Sequence, residues 1–375
     1  MSENDIERDI AGNVVERLEW ADSKDEETPV SRHRAVTRRA ALGGGAGALA
    51  AYMLSQPVAA LAASGGSLSS IFGSQKSYHF VFVNHVTTNP FFTPTLYGIA
   101  DACKLLGCTS QWTGSTSSNV GQMVTAFNSA IASGADGIAC PLISLTAFNA
   151  PTNNALAKGI PVVSYNADAT GNNRLAYIGQ DLYVSGQQMG LKIKSLIPGG
   201  GSVGLFIATP GSLNIQPRID GAENSLKGTN IKYDVVATGA AVPGELTAVE
   251  TYYKGHTTTK GLFAVDGGSS QATGQTVQKF GLKGKVQAGG YDFESALVAQ
   301  NIANGYQAFT IDQQPYLQGF LPVVELFLYH ASGGLSGIAD VDTGLKFVTK
   351  STVAPYNNTS SRFEGTSSSA GVKKS

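Results

Sequence analysis

Short, uninterrupted apolar runs alternate with helix-like patterns along the chain from about residue 76 onwards. A strand that is apolar along its whole length is buried on both faces, which is typical of parallel sheets covered by helices. The alternation therefore predicts an α/β fold built on parallel sheets. The eight predicted strands read HFVFV (79–83), GIAC (137–140), PVVSY (161–165), VGLFIA (203–208), KYDVVA (232–237), GLFAV (261–265), KVQAGGY (285–291) and QAFTI (307–311).

The segments between these runs carry the spacing of amphipathic helices. Val120, Met123, Phe127 and Ile131 fall on one helix face, and Gly134 ends the pattern. Similar patterns recur after most of the later apolar runs. The sequence therefore predicts helices that cover the sheets.

The number of repeating units predicts how the chain is divided. About nine strand–helix units exceed what one small sheet holds, so we predict two doubly wound parallel-sheet domains joined by a hinge. The candidate crossings between them lie in 175–186 and 312–315. The predicted lobes are residues 76–180 with 314–341, and residues 181–313 with 342–352. Residues 353–375 are rich in serine and glycine, and we predict a disordered tail there.

Residues 1–62 differ in composition from the rest of the chain. They carry ten acidic and seven basic side chains, out of 27 and 26 in the whole chain. Arg38 and Arg39 form a twin-arginine pair before a glycine-rich apolar run, and Ala60-Leu61-Ala62 offers small residues to a signal peptidase. We expect an acidic leader plus a twin-arginine signal peptide, and a protein free in the periplasmic or extracytoplasmic space. A retained membrane anchor is the alternative.

The chain has three cysteines, Cys103, Cys108 and Cys140. Because export leads to an oxidising space, a short-range disulfide between Cys103 and Cys108 is one interpretation. Three small buried residues are the other. No pair has the spacing of metal ligands.

Composition and motifs argue against several functions. The formal net charge of −1 gives no reason to expect a nucleic-acid partner. The five histidines are scattered, and GGGSVG (199–204) precedes a predicted strand, whereas a dinucleotide fingerprint follows one. No nucleophile elbow opens a helix after a strand. We therefore expect no cofactor, no metal and no catalysis.

Polar and aromatic side chains stand where the predicted strands end. In open α/β sheets the carboxyl ends of the strands form the edge at which ligands bind. Each residue alone has an ordinary explanation as a turn, helix cap, core residue or surface charge. Their shared placement favours a single cleft. The residues are Asn89, Phe91, Phe92, Asn166, Asp168, Asp266, Asp292 and Gln313 at strand ends, and Arg218 in the first turn of a predicted helix.

A series of motifs resembles a known family over about residues 76–350. In order they are NPFF, GADGIACP, GIPVVSYNADATGNNRLAYIGQD, RIDG, GLFAVDG, GGYD and TIDQQPYLQG. With these motifs the chain is similar to the sugar-binding group of periplasmic solute-binding proteins, those related to ribose-binding protein, which serve ATP-driven importers. The resemblance implies a type I periplasmic binding protein fold, in which two lobes close over a ligand at a hinge.

The resemblance also implies roles for individual residues. Phe91 and Phe92 match aromatic residues that sandwich a sugar ring, and Asn89 matches an amide that binds a hydroxyl group. Arg218 matches an arginine of the second lobe that donates to sugar oxygens. The other matched ligand-binding positions are Cys140, where asparagine is common, and Asn166, Asp168, Asp266, Asp292 and Gln313.

Besides Cys140, three further departures separate this chain from the ribose type. Asn166 stands in place of the usual aspartate, and Ala167 stands where the ribose type has an arginine. The aromatic residue expected near 242–245 is absent, since the local sequence is VPGE. The pattern looks closer to relatives that bind other polyols, inositols or the autoinducer-2 signal.

The resemblance leads us to expect an extracytoplasmic, monomeric protein that captures a sugar or sugar-like polyol and delivers it to the permease of an ABC-type importer. A ligand-binding sensor component that feeds a signalling receptor is the alternative. The lactose-repressor family shares the two-domain fold, but it needs a basic recognition helix, and residues 1–62 are acidic instead. An exported enzyme would need a nucleophile or base in the cleft, for which the sequence offers no candidate.

Overall fold

The computed structural model describes residues 68–335 and 338–357. The predicted leader and twin-arginine signal (1–62) lie outside these ranges, as does the end of the chain beyond residue 357. A short helix, α1 (Leu68–Phe72), belongs to a separate N-terminal unit. The compact unit that begins at Gln75 contains two six-stranded sheets. Within the described ranges, no helix combines the length and the apolar character that a membrane crossing requires.

Strands and helices alternate along this unit, as the sequence predicts. Its first half contains β1 (His79–Asn84), α2 (Thr93–Leu106), β2 (Thr109–Gly114), α3 (Val120–Ala132), β3 (Gly137–Ala139), α4 (Asn149–Ala157), β4 (Val162–Tyr165) and β5 (Ala176–Gly179). It continues with α5 (Leu182–Leu196), β6 (Gly201–Ile207), α6 (Gln216–Leu226), β7 (Ile231–Ala237), α7 (Val242–Gly255), β8 (Gly261–Ala264), α8 (Gly267–Lys279) and β9 (Gln287–Tyr291). The last elements are α9 (Ala296–Asn304), β10 (Phe309–Asp312), α10 (Leu317–Ala331), β11 (Val341–Asp342) and β12 (Lys346–Thr349).

The two sheets have matching strand orders. The first runs β2-β1-β3-β4-β5-β11, and all of its pairings are parallel. The second runs β7-β6-β8-β9-β10-β12, and it is parallel except for β12, which lies antiparallel to β10 at the edge. The predicted fold class, two doubly wound α/β domains, is confirmed.

The helix face predicted before Gly134 is buried as expected. Met123, Phe127 and Ile131 of α3 pack with Val81 and Val83 of β1 in one core cluster, all at most 5% exposed. Burial of each such side chain contributes about 1.5–3 kcal/mol. The apolar stripe therefore fixes how α3 covers the first sheet.

The four strands that the sequence did not predict are short or polar. β2, with the sequence TSQWTG, lies at a sheet edge and has no fully buried residue, so it lacks an apolar run. β11 has two residues, and β12 is a four-residue edge strand. β5 lies inside a segment that we interpreted as a crossing. Edge strands need no apolar run, because one side of the strand has no partner.

The chain passes between the two sheets three times, after β5, after β10 and after β11. The predicted limit at 341/342 cuts through β11, because Asp342 pairs with Gly179 of the first sheet. The limit therefore has to move beyond Asp342. Strand pairing decides this point, and a two-residue strand leaves no periodicity in the sequence.

The predicted disordered tail begins too early. Val353 and Tyr356 are 2% and 5% exposed and pack against Phe293 and Val298. The Tyr356 ring stacks on Phe293 with centroids 4.5 Å apart, and its hydroxyl donates to Asp312 Oδ2 at 3.1 Å. Ordered structure therefore continues to at least residue 357, through a short 3₁₀ helix (Ala354–Asn357). Two anchoring side chains in a polar segment are a weak sequence signal.

The three cysteines are free and buried. The structure therefore agrees with the second interpretation, in which the three cysteines are small buried residues and Cys103 is not joined to Cys108. Burial raises the pKa of the Cys108 thiol to about 11.

Two glycines allow α5 and α6 to pack at close range. A Cβ atom at Gly221 would collide with the backbone oxygen of Tyr183 and would lie 2.7 Å from the backbone nitrogen of Gln187. A Cβ atom at Gly186 would collide with the backbone of Arg218. The contact therefore fixes the position of the helix that carries Arg218.

Gly221→Ala is expected to lower the free energy of unfolding by about 1–3 kcal/mol, because backbone atoms have to move to admit the methyl group. Gly255→Ala is the matched control, since nothing lies within 4 Å of a Cβ atom at that helical position. It should keep or slightly raise stability. Chemical denaturation of both variants measures the difference, and equal midpoints would contradict the packing argument.

Candidate functional site

A cavity of about 80 Å³ lies beyond the carboxyl ends of strands from both sheets. Its lining comes from the segments that follow β1, β2 and β4 of the first sheet, and from those that follow β6, β7, β8, β9 and β10 of the second. This is the edge at which open α/β sheets bind their ligands. The two lobes together therefore form one site.

Eight of the ten predicted site residues line this cavity. They are Asn89, Phe91, Phe92, Asn166, Arg218, Asp266, Asp292 and Gln313. Only the tertiary structure brings them together, since they are spread over more than two hundred positions of the sequence. The other two, Cys140 and Asp168, are not among the lining residues.

Cys140 lies in the core of the first lobe. It is fully buried and packs with Val81 and Ile138, and its thiol donates weakly to Pro141 O at 3.6 Å. The predicted ligand-binding position therefore points away from the cavity. The residue comes one position after β3, so the alternation of a strand still sends its side chain into the core.

Asp168 is held by the first lobe itself. Its Oδ1 accepts from Ser164 Oγ at 2.7 Å and from Arg174 Nε at 3.0 Å, and Arg174 also pairs with Asp340 at 3.0 Å. Burial opposes ionisation of Asp168, but the hydrogen bonds from Arg174 and Ser164 outweigh it, so its pKa is lowered. The carboxylate orients the loop after β4 and does not line the cavity.

The first-lobe wall is aromatic. Asn89 caps a 3₁₀ turn (Pro90–Phe92), and its Oδ1 accepts from Phe91 N at 2.7 Å. The turn sets Phe91 and Phe92 edge to face, with ring centroids 4.8 Å apart. His85 packs edge-on against Phe92 at 5.3 Å. The NPFF motif is thus a short capped turn that presents two rings at the end of β1.

Side-chain amides join the lobes at the back of the cavity. Asn166 Nδ2 donates to Gln318 Oε1 at 3.2 Å and lies 3.4 Å from Gln313 Oε1. Gln313 Nε2 in turn donates to both carboxylate oxygens of Asp292, at 3.0 and 2.9 Å. Asn166 and Asp292 have φ angles of 62° and 64°, in the left-handed region. Such strain persists where the surroundings enforce it, which is common at binding sites.

Arg218 occupies the second-lobe wall and is 2% exposed. Its Nη1 donates to Val265 O at 2.9 Å and its Nη2 donates to Gln180 Oε1 at 3.1 Å. The guanidinium lies 4.0 Å from the Tyr291 ring centroid and 3.9 Å from Asp292 Oδ2. These contacts hold the group rigid and leave Nε facing buried space.

The rest of the second-lobe wall is acidic. Burial raises the pKa of Asp292 to about 7, although Arg218 and Gln313 favour its ionised form. Burial, Asp266 and Asp292 together raise the pKa of Glu294 to about 8. Desolvation and neighbouring carboxylates act in the same direction on each group. The wall therefore carries more acid than its single guanidinium can neutralise.

Four side chains that line the cavity each keep one buried polar atom without a hydrogen-bond partner. These atoms are His85 Nδ1, Arg218 Nε, Glu245 Oε2 and Glu294 Oε1. A buried polar atom that makes no hydrogen bond costs about 1–3 kcal/mol. A polar ligand in the cavity would satisfy such atoms, and their concentration here indicates a binding site.

The chain matches the family described as "Periplasmic binding protein domain" over residues 80–333. That span includes ten of the twelve strands and every residue that lines the cavity. The chain belongs to the periplasmic binding protein family.

Relatives of this family member share both its sequence and its fold. It is 44% identical over 393 residues to the xylose/arabinose-binding protein XylF of Sulfolobus acidocaldarius, with 98% of this chain and 95% of that protein covered. A solute-binding protein from Burkholderia graminis, solved in complex with D-arabinose, has a TM-score of 0.70 and 24% identity, covering 76% of this chain and 99% of its own. A carbohydrate transporter protein from Acidothermus cellulolyticus, solved with myo-inositol, has a TM-score of 0.68 and 26% identity, covering 78% and 100%.

The lobes of this periplasmic binding protein touch across the cavity mouth. His85 Nε2 lies 3.3 Å from Asn214 Nδ2, and Leu213 N lies 3.4 Å from Ile143 O. His85 and Ile143 follow strands of the first sheet, whereas residues 213 and 214 follow β6 of the second. The structure is therefore a closed form, in which the cavity walls are mostly buried.

Six polar residues that line the cavity were not predicted from the sequence: His85, Ser118, Thr209, Asn214, Glu245 and Glu294. His85 and Glu294 stand one and three positions after the ends of β1 and β9. They are therefore polar residues at strand ends, which is the sequence signal that predicts this site. Glu245 stands in VPGE, where the resemblance expects an aromatic residue, and that departure was its signal. Asn214 lies seven residues beyond β6, where loop geometry decides its direction.

Burial lowers the pKa of His85 to about 4. A histidine whose folded pKa lies below its unfolded value of about 6.5 stabilises the protein above that value, and this stability is lost as the pH falls towards 4. Between about pH 7 and pH 5, the melting temperature of His85→Asn should therefore fall less than that of the parent protein. His256→Asn, at a half-exposed ring directly after α7, is the control for removing an imidazole. Identical acid sensitivity in parent and His85→Asn would contradict the burial argument.

Proposed function

We propose that this protein is an extracytoplasmic solute-binding protein that closes two lobes over one sugar or sugar-like polyol. The supporting observation is the set of unpaired buried atoms on the cavity wall, namely His85 Nδ1, Arg218 Nε and Glu294 Oε1. They include both donors and acceptors, and they surround one small space. A polyol carries hydroxyl groups that donate and accept at once, so one molecule can pair with all of them.

The cavity size favours one small ring. About 80 Å³ has room for on the order of five to eight water-sized groups, which suits a monosaccharide and excludes a chain of sugars in the closed form. Phe91 and Phe92 are the apolar surface that a sugar ring needs above its C–H groups. Asn89 and Arg218 are the polar groups that we assign to its hydroxyls, and Asp292 is the matching acceptor.

The relatives favour a pentose as the natural ligand. The 44% identical relative carries the name xylose/arabinose-binding protein, and the Burkholderia structure contains D-arabinose. We therefore propose an aldopentose as the first candidate, ahead of hexoses and inositols. Ribose is disfavoured by Asn166 and Ala167, which replace the charged pair of the ribose type.

The remaining assignments follow from the family. We propose that the closed form is recognised by the permease of an ABC-type importer and that the protein acts as a monomer without catalysis. Export by the twin-arginine route, with the leader at residues 1–62, would bring it to the periplasmic or extracytoplasmic space. The two lobes are residues 76–180 with 314–342, and residues 181–313 with 343–352.

A binding screen tests the proposed function. Thermal shift and calorimetry with D-xylose, L-arabinose, D-ribose, D-glucose, myo-inositol and xylitol should identify at least one ligand, and a ligand at a hundred times its Kd adds about 2.7 kcal/mol of stability. Recovery of the sugar unchanged after incubation supports pure binding. Turnover of the bound sugar would overturn it, and so would the absence of binding across the panel.

Phe92→Ala should weaken binding of the best pentose about 10- to 100-fold, because the sugar ring loses an apolar surface on which it packs. Phe92 is 3% exposed in the closed form, so the affinity is measured per folded molecule by calorimetry. Phe280→Ala is the matched control, since this half-buried aromatic directly follows α8 and packs on Tyr253 away from the cavity. Equal affinity of parent and Phe92→Ala would mean that Phe92 is only a core residue.

Arg218→Lys should also weaken binding by about 10- to 100-fold, because an ammonium cannot reproduce the planar fork of the guanidinium. The control is Arg174→Lys, which alters a half-buried arginine–aspartate pair outside the cavity. Calorimetry on both variants separates the two sites. A large loss in Arg174→Lys, with none in Arg218→Lys, would return Asp168 to the binding site and remove Arg218 from it.

A further inference from the structure

Glu245 and Asp266 form a carboxyl pair on the second-lobe wall of the cavity. Glu245 lies in the first turn of α7, and Asp266 caps α8. Glu245 is 3% exposed, and a Cβ atom at Gly268 would collide with its Oε2, so its carboxyl lies against the start of α8, two residues from Asp266. Two acidic groups from two different helices therefore line the same wall of the cavity, Glu245 buried and Asp266 half-buried.

Asp266 is fixed as the acceptor of this pair. Its Oδ1 accepts from Ser269 N at 2.9 Å, and its Oδ2 accepts from Ala208 N at 2.9 Å. Both oxygens thus receive a backbone N–H, which favours the ionised form. Any proton that lies between the two groups belongs to Glu245.

A glycine pair makes room for the acid side chains. A Cβ atom at Gly268 would collide with Glu245 Oε2, and one at Gly267 would lie 2.8 Å from Glu294 Oε2. Helix α8 therefore begins with two residues that lack side chains on the side where these carboxyls approach. The contact between Glu245 and the start of α8 depends on this space, so the arrangement is built into the fold.

No cation is available to separate the two carboxyls. Arg218 is the only residue with a permanent positive charge among the described residues that line the cavity, and its guanidinium contacts Val265, Gln180 and Asp292. Glu245 Oε2 is buried and has no donor. In such a site the negative charge of one carboxylate disfavours ionisation of the other, so one of two neighbouring carboxyls keeps its proton.

We propose that the closed cleft holds one proton between Glu245 and Asp266, so that Glu245 is a neutral acid and selects an uncharged polyol. The proposal rests on the sugar-binding function proposed above and names a residue that determines its specificity. With Glu245 ionised, the wall would attract a cationic amine instead. With Glu245 neutral, the cleft keeps its hydrogen-bonding groups and loses the excess negative charge.

The electrostatic environment supports this placement of the proton. Burial and the charge of Asp266 raise the pKa of Glu245, and burial raises that of Asp266. The titratable and charged groups that share the cavity with the pair are Glu294 and Asp292 after β9, Arg218 on α6 and His85 after β1. Glu294 adds to the shift of Glu245. Closure of the lobes removes water, so sugar binding should be accompanied by proton uptake near neutral pH.

The sign of the pH dependence follows from linkage. A carboxyl whose folded pKa exceeds its unfolded value stabilises the folded, closed form at low pH, and this contribution is lost as pH rises through the folded value. Sugar affinity should therefore fall by about tenfold or more between about pH 6 and pH 9. His85 acts in the opposite direction below its unfolded value, so the profile should have an acid limb from His85 and an alkaline limb from the carboxyls.

Glu245→Gln tests the proposal, because an amide keeps a donor for Asp266 and cannot ionise. Calorimetry uses D-xylose, or the tightest ligand of the panel, at about pH 6 and about pH 9 in buffers of different ionisation enthalpy. In Glu245→Gln the affinity ratio between the two pH values should shrink by about threefold or more, and proton uptake should decrease, while the share of the alkaline limb that Asp292 and Glu294 cause remains. Glu245→Ala should bind more weakly than Glu245→Gln, and Glu294→Gln should lose only its own, smaller share of the alkaline limb, because the pKa of Glu294 is raised less than that of Glu245.

Several results would overturn the proposal. One is a wild-type affinity that does not change with pH. Others are a Glu245→Gln variant that binds as weakly as Glu245→Ala, and a Glu245→Gln variant whose affinity has the wild-type pH profile. Tighter binding of D-glucosamine than of D-glucose by the wild type would also overturn it, since an ionised Glu245 prefers the amine.

A measurement without sugar separates this proposal from the binding function. Infrared spectra of the purified protein should show the carbonyl stretch of a protonated carboxyl near pH 7, and Glu245→Gln should lose part of that band. If no panel sugar binds but the band is present and depends on Glu245, the binding function fails and the shared proton stands. If sugar binds and no such band depends on Glu245, the proton assignment fails alone.

Discussion

Arg218 is the group on which the cavity depends, because its guanidinium ties the second-lobe wall to the segment that joins the lobes. It donates to the Val265 backbone and to Gln180, and it lies over the Tyr291 ring. Gln180 in turn donates to Gly344 O at 2.9 Å, on the last passage of the chain between the sheets. A buried charge costs several kcal/mol unless it is paired and hydrogen-bonded. These contacts and the nearby Asp292 offset that cost and leave Nε as a buried donor without a hydrogen-bond partner.

The acidic groups around Arg218 set the chemistry of the site. Asp292 and Glu294 have raised pKa values of about 7 and 8, and burial and the charge of Asp266 raise the pKa of Glu245. In an open cleft water solvates these groups. Lobe closure removes that water at a cost in free energy, so closure is favourable only when a ligand replaces the hydrogen bonds of the water. The hydroxyl groups of a polyol are well suited to this, because each donates to an acidic oxygen and accepts from a neighbouring donor. Ligand binding and closure are therefore one coupled event.

The hinge and the site share residues, which connects motion to recognition. Asn166 and Gln313 line the cavity and also bond to each other and to Gln318 beside the crossing after β10. Their positions, and that of Asp292, depend on strained or loop backbone that no periodicity predicts. A sugar that contacts these amides would alter the hydrogen bonds beside the crossing between the lobes. The amide groups therefore line the cavity and also take part in the contacts beside the crossing between the lobes.

The sequence by itself determined the α/β class, the two-lobe division and eight residues of the cavity, because buried parallel strands are apolar throughout and their ends collect polar groups. It also determined the family, through NPFF, RIDG and GGYD in order. The tertiary structure alone decided that Cys140 belongs to the core, that Asp168 pairs with Arg174, and that Val353 and Tyr356 are anchored. It alone brought Glu245 to the start of α8, near Asp266, since that contact joins two helices through a space left by glycines. Local patterns report which face of an element is buried, whereas contacts between distant elements depend on how the elements pack.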